Sequence, residues 1–149
     1  MSPNKQKIGL DLTKHAPRSP RVKIGHFVIL ARIIDKCRAL LWGNIGEYDF
    51  NCELDQSLLE WKGLIGEQLK TYIAEGHSDE EIADWIKSNG IPKTDAEIVE
   101  WAKEATANTY ADDPEGREWL DKQIERLGLV KDATVFDYLD ADDMASFNE

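Results

Sequence analysis

A mainly α-helical domain is what this sequence predicts, and three patterns predict it. Apolar residues recur at helical spacing from residue 26 onward. Two capping boxes, Ser78-Asp79-Glu80-Glu81 and Thr94-Asp95-Ala96-Glu97, each open an amphipathic stretch. Glycines at 43, 63, 76 and 128 sit where those stretches should stop. With 149 residues, 42% of them apolar and five Trp, the chain has enough hydrophobic material for one packed domain over 1–149.

Residues 1–25 read as an extended basic arm, because Pro3, Pro17 and Pro20 each remove a backbone donor and push the preceding residue out of the helical region. The first helix is expected over 26–42. Phe27, Ile29, Leu30, Ile33, Ile34, Cys37, Leu40 and Leu41 fill one wide arc, with Arg32, Asp35, Lys36 and Ala39 opposite. Arg38 falls at the edge of the apolar arc, where a cation needs a partner. After the turn at Asn44-Ile45-Gly46, residues 47–52 alternate with period two, which predicts a short extended segment near 47–51 that buries Tyr48, Phe50 and Cys52. Short helices follow over 55–61 and 66–74, completing a motif-bearing half at 26–75.

The acidic half, 78–149, opens with the two boxed helices. Their likeness, sixteen residues apart, needs no duplication: two amphipathic helices with the same cap must resemble each other. Asp113-Pro114 starts a further helix with Pro at its first position, and Gly128-Leu129 ends it. The last stretch carries six carboxylates and no cation, and is expected to dock through Val135, Phe136, Tyr138 and Leu139 beside the basic arm.

Charge is divided sharply. Residues 1–42 carry nine Lys/Arg against Asp11 and Asp35, a net of +7, so the remainder of this −11 chain carries −18. Self-repulsion on that scale is relieved when the basic part folds back over the acidic part or meets an anion. The acidic total argues against nucleic acid as a partner. The helix–Gly–helix arrangement at 76–91 would bring Asp79, Glu80, Glu81 and Asp84 toward phosphates. No apolar run approaches the roughly 20 residues of a membrane span, and Met1–Lys14 lacks an apolar signal region, so a soluble, cytoplasmic protein with reduced Cys37 and Cys52 is expected.

The polar residues around the first helix form the strongest candidate site. Arg18 precedes the helix; Arg32, Asp35, Lys36 and Arg38 lie on it; Tyr48, Asn51 and Asp55 follow. Guanidiniums converging beside a carboxylate make a fork for a carboxylate or phosphate ligand, and mutual neutralisation by acidic residues is the competing explanation. His15, His26, His77, Cys37 and Cys52 match no zinc spacing, and residues 140–143 lack the features of a calcium loop. Neither a metal nor a cofactor is expected. Core packing accounts for both thiols. The leading expectation is a binding protein for an anionic small molecule. The alternative is a non-enzymatic protein–protein module using the acidic helical half.

Four segments carry a resemblance. Residues 12–21 (LTKHAPRSPR), 29–39 (ILARIIDKCRA) with 46–55 (GEYDFNCELD), and 136–140 (FDYLD) together resemble a bacterial family of proteins, domain-of-unknown-function family 5069. Ala31 and Glu53 stand where that family's pattern has Pro. The resemblance implies no activity. It implies that Arg18, Arg32, Asp35, Lys36, Arg38, Tyr48, Asn51 and Asp55 belong to one pattern.

Overall fold

The computed structural model describes residues 9–147. These form seven helices: α1 (Leu30–Trp42), α2 (Glu53–Lys62), α3 (Gly66–Ala74), α4 (Asp79–Ser88), α5 (Asp95–Thr106), α6 (Pro114–Leu127) and α7 (Val135–Phe147). The first eight residues of the expected arm, with Lys5 and Lys7, and the last two of the acidic tail lie outside the described residues.

The first helix begins four residues later than its apolar periodicity predicts. Gly25, His26 and Ile29 take φ of 56°, 71° and 73°, and Ile24 and Phe27 exchange both backbone hydrogen bonds across the turn. A β-branched residue at such a φ is strained. Ile29 is held there by burial and by its N–H, which donates to the Pro20 carbonyl at 2.8 Å. Phe27, Val28 and Ile29 are therefore core residues of a tight turn rather than of a helix.

Packing departs from the sequence expectation most at α1. The face carrying Arg32, Asp35, Lys36 and Ala39 should meet solvent, yet these residues are only 3%, 4%, 3% and 0% exposed. α1 packs against α2, α3 and α4, and side chains of the arm and α7 reach its charged face. It is a central helix, buried nearly all round. Arg38, expected to be buried, keeps 19% of its side chain exposed, and Leu40 on the apolar arc is exposed.

Residues 47–51 form no strand. They are a turn-rich loop in which Asn51 adopts φ 67°, a left-handed conformation that Asn tolerates better than most residues. The alternation is real in burial alone: Tyr48, Phe50 and Cys52 are half-buried, while Glu47, Asp49 and Asn51 are exposed.

The remaining helices follow their signals. Both capping boxes form, with Ser78 and Thr94 accepting from the amides of Glu81 and Glu97, and Asp113 caps α6 ahead of Pro114. Gly128 closes α6 at φ 69°, with the Leu129 N–H donating to the Ile124 carbonyl. Trp61 stacks on Trp101 and Trp85 on Tyr72, tying α2 to α5 and α4 to α3. The main core joins the 27–29 turn and α1–α5 with Phe136. A smaller one, of Leu120, Ile124, Ala133 and Val135, joins α6 to α7. Lys62, fully buried, donates to the Lys87 and Asn89 carbonyls at the end of α4.

Candidate functional site

Charged residues on and around α1 separate into two groups. The first is a closed brace. Arg18 Nε and Nη2 bind Asp35 Oδ2 and Oδ1, both at 3.0 Å, the Arg18 amide donates to the same carboxylate at 2.8 Å, and Arg18 Nη1 reaches Asp79 at 2.9 Å. Arg38 binds the other Asp79 oxygen at 2.9 Å and the His77 carbonyl at 3.0 Å. The partner of Arg38 is thus Asp79, at the start of α4, rather than Asp35 or Asp55. Burial works against the charge on Arg18, but Asp35 and Asp79 outweigh it and raise its pKa. Burial likewise pushes Asp79 up, and the hydrogen bonds and charges of Arg18 and Arg38 overcome that and hold it below 3.8. This brace fastens the arm and α1 to the N-terminus of α4, where a carboxylate also suits the helix dipole.

The second group opens on a cavity of about 540 Å3. Its wall is built from the arm (Leu12, Thr13), α1 (Arg32, Lys36), the 46–52 loop (including Tyr48, Cys52 and the carboxylates Glu47 and Asp49), α2 (Leu54) and α7 (Leu139, Phe147 and the carboxylate Asp142). Arg32 forms a two-point pair with Asp143 at 2.8 and 3.2 Å, and the Tyr48 hydroxyl donates to the same carboxylate at 2.8 Å. The Arg32 guanidinium also lies over the Tyr48 ring, 5.5 Å from its centroid. Burial opposes the charge on Arg32, and Asp143 outweighs it to raise the pKa. Burial, reinforced by the bond to Asp143, raises the Tyr48 phenol as well.

Lys36 completes the group. Its Nζ lies 2.8 Å from Asp55 Oδ1 and 3.4 Å from Cys52 Sγ. Asp55, fully buried, also accepts the Asn51 amide at 2.8 Å. Gly46 lets the loop meet the arm: at φ 61°, a Cβ there would stand 2.7 Å from the Leu12 carbonyl oxygen, and Leu12 N–H in turn donates to Asn44 O.

Of the eight residues expected to form one site, Arg32, Lys36 and Tyr48 line this cavity, with Asn51 and Asp55 behind Lys36. Arg18, Asp35 and Arg38 belong to the brace and line none of the described cavities. Sequence reasoning missed Asp143 and Asp79. The six-carboxylate tail contained the signal for Asp143, and the capping box hid Asp79 by giving it a helix-start explanation. Cys52, assigned to packing, is half-buried at the cavity wall. Cys37 fits its assignment: it is fully buried in the core, and desolvation pushes its thiol up to about 12. Among the described residues no cluster of three His, Cys, Asp or Glu is placed to hold a metal, and no helix is long and apolar enough to cross a membrane.

Both charged groups fall inside a family match. Residues 14–145 match the family described as Domain of unknown function (DUF5069). The chain belongs to that family. The DUF5069 match spans the charged residues of both groups, from Arg18 to Asp143, and is the family that the four sequence segments resemble. No curated protein matches the chain.

Proposed function

We propose that this DUF5069 protein binds a small, partly apolar molecule bearing one anionic group in the cavity beside Arg32 and Lys36. The observation that carries this reading is the pair of cations, each 3% exposed, on the wall of a cavity whose size suits a small ligand. Leu12, Leu54, Leu139 and the Tyr48–Phe147 pair supply apolar walls. Among the described residues, Arg32 Nε makes no hydrogen bond, and Lys36 Nζ retains one N–H beyond Asp55 and Cys52. With the second N–H of Arg32 Nη2, those are the donors left for a ligand carboxylate or phosphate. The exposed large apolar residues of the acidic half, Ile91, Trp119, Val130 and Met144, sit on separate elements, so the cavity is the better-supported site.

A melting screen of small carboxylates and phosphates tests the reading. A ligand at 100 times its dissociation constant adds about 2.7 kcal/mol, a shift of about 5–10 °C for a domain of this size. Ser146→Trp, at an exposed position on the cavity wall that takes part in no ion pair among the described residues, should abolish the shift. Failure of every anion to stabilise the wild type, or an equal shift in Ser146→Trp, would refute the proposal.

A further inference from the structure

The charges on the cavity wall do not balance. Arg32 and Lys36 share it with three carboxylates, Glu47, Asp49 and Asp142. Arg32 is met by Asp143, Lys36 by Asp55, and Asp142 by Arg126 at 2.9 Å. Glu47 and Asp49 are exposed, and their side chains make no ion pair or hydrogen bond among the described residues. With every cation already met by a carboxylate, these two are left over, and they repel a ligand that carries an anion alone. Arg32 nevertheless keeps a place for one. Asp143 takes one N–H from each Nη at the end of the guanidinium, and Nη1 also faces the Arg18 carbonyl at 3.4 Å. The edge formed by Nε and the second N–H of Nη2 is unspent, and two parallel N–H groups are what a carboxylate accepts at both oxygens. Among the described residues no sealed side-chain nitrogen lacks a partner, so this Nε, which has none, is reached by solvent. The 540 Å3 cavity is the one that Arg32 lines among those described.

We infer that the ligand of this cavity is a zwitterion, an amino acid with an apolar part, whose carboxylate meets Arg32 and whose ammonium meets Glu47 and Asp49. The inference rests on the anionic-ligand reading above and adds a cationic group to it. An ammonium supplies the positive charge that the wall lacks, and its three N–H groups suit two carboxylates. Glu47 and Asp49 flank Tyr48 in the chain, and the Arg32 guanidinium lies over the Tyr48 ring, 5.5 Å from its centroid. Both kinds of charge therefore border the same stretch of wall, and Leu12, Leu54, Leu139 and Phe147 supply apolar surface beside them.

The test is titration calorimetry of the full chain at pH 7 with two matched sets of ligands. One set is L-phenylalanine, 3-phenylpropionate, which lacks its amine, and 2-phenylethylamine, which lacks its carboxylate. The other, with the charges at opposite ends, is 6-aminohexanoate, hexanoate and pentylamine. In at least one set the zwitterion should bind about tenfold more tightly than either relative, the worth of one hydrogen bond between charged groups. Glu47→Gln with Asp49→Asn, a double variant at exposed positions outside the ion pairs, should bring the carboxylate relative level with the zwitterion. A carboxylate that binds wild type as tightly as its zwitterion overturns the inference and leaves the anionic-ligand reading standing. An amine that matches its zwitterion, with the carboxylate not bound, overturns both. Absence of binding by both zwitterions overturns the inference, while the wider anion screen still decides the earlier reading. A zwitterion advantage unchanged in the double variant overturns the place given to Glu47 and Asp49.

Discussion

The brace at Asp79 and the cavity group at Asp143 use the same ingredients in different settings. Both pair arginines from the basic segment with carboxylates from the acidic remainder, and both draw on α1. In the brace each strong acceptor is already occupied: Asp35 takes three donors from Arg18, and Asp79 takes one from Arg18 and one from Arg38. In the cavity group the pairs are more deeply buried, with side-chain exposures of 4% and 11% for Arg32 and Asp143 and 3% and 0% for Lys36 and Asp55. Yet this group borders open space. Charge composition alone does not separate the two groups; what separates them is that Arg32 and Lys36 line a described cavity, whereas Arg18, Asp35 and Arg38 line none of those described.

The largest expected loss comes from breaking the deepest pair. Lys36→Ala leaves Asp55 charged in the interior and should cost about 3–5 kcal/mol in chemical denaturation. Lys36→Met combined with Asp55→Leu should recover part of that loss, the remainder reflecting the Asn51 amide left without its acceptor. Equal stability of the single and double variants would show that the uncompensated charge is not the cause.

Breaking the brace should matter less, because Asp79 is 25% exposed and Arg18 32%. Asp79→Asn is expected to cost about 1–2 kcal/mol. Its effect should also depend on pH. The pKa of Asp79 is lowered in the folded protein, so its contribution is fully present above 3.8 and is lost as pH falls through the folded value. Denaturation midpoints of wild type and Asp79→Asn should therefore converge below pH 3.8. A constant gap down to pH 2 would mean that the brace does not hold the Asp79 charge.

At the far end of the series lies Arg21, which pairs with Asp137 and Asp140 on α7 with about two-fifths of each side chain exposed. Arg21→Ala should cost only about 0.2–1 kcal/mol, and the difference should shrink as salt is raised. A loss as large as that of Lys36→Ala would place the weight of the fold at the surface, contrary to the burial of the other pairs.

Much of the fold was legible because its signals are local. The capping boxes, Asp113-Pro114 and Gly128 depend on residues within a few positions of each other, and all of them act as their sequence suggests. The charge split was legible as a global imbalance, and its resolution is visible: among the arginines of residues 9–42, each finds a carboxylate beyond residue 42, and Arg18 adds Asp35. What the sequence concealed is long-range. Helical periodicity assigned Arg32, Asp35 and Lys36 to a solvent face because it cannot know that the arm, α2 and α7 will cover that face. The 27–29 turn reads as helix because Ile29 gives no hint of a positive φ, which tertiary packing imposes on it. Residues 47–52 kept their alternation of burial but, among the described residues, have no neighbouring strand to pair with, so they form a loop. Within the site, residue types were readable, while the division into brace and cavity depends on Asp79 and Asp143, which are 41 and 111 residues away from Arg38 and Arg32.

One melting experiment tests the division between fastening and site directly. Wild type, Asp79→Asn and Ser146→Trp are each melted with and without a stabilising small carboxylate from the screen. Asp79→Asn should melt lower than wild type yet keep the full ligand-induced rise, whereas Ser146→Trp should melt close to wild type and show no rise. A carboxylate that stabilises Ser146→Trp but not Asp79→Asn would place the binding site at the brace and contradict the account.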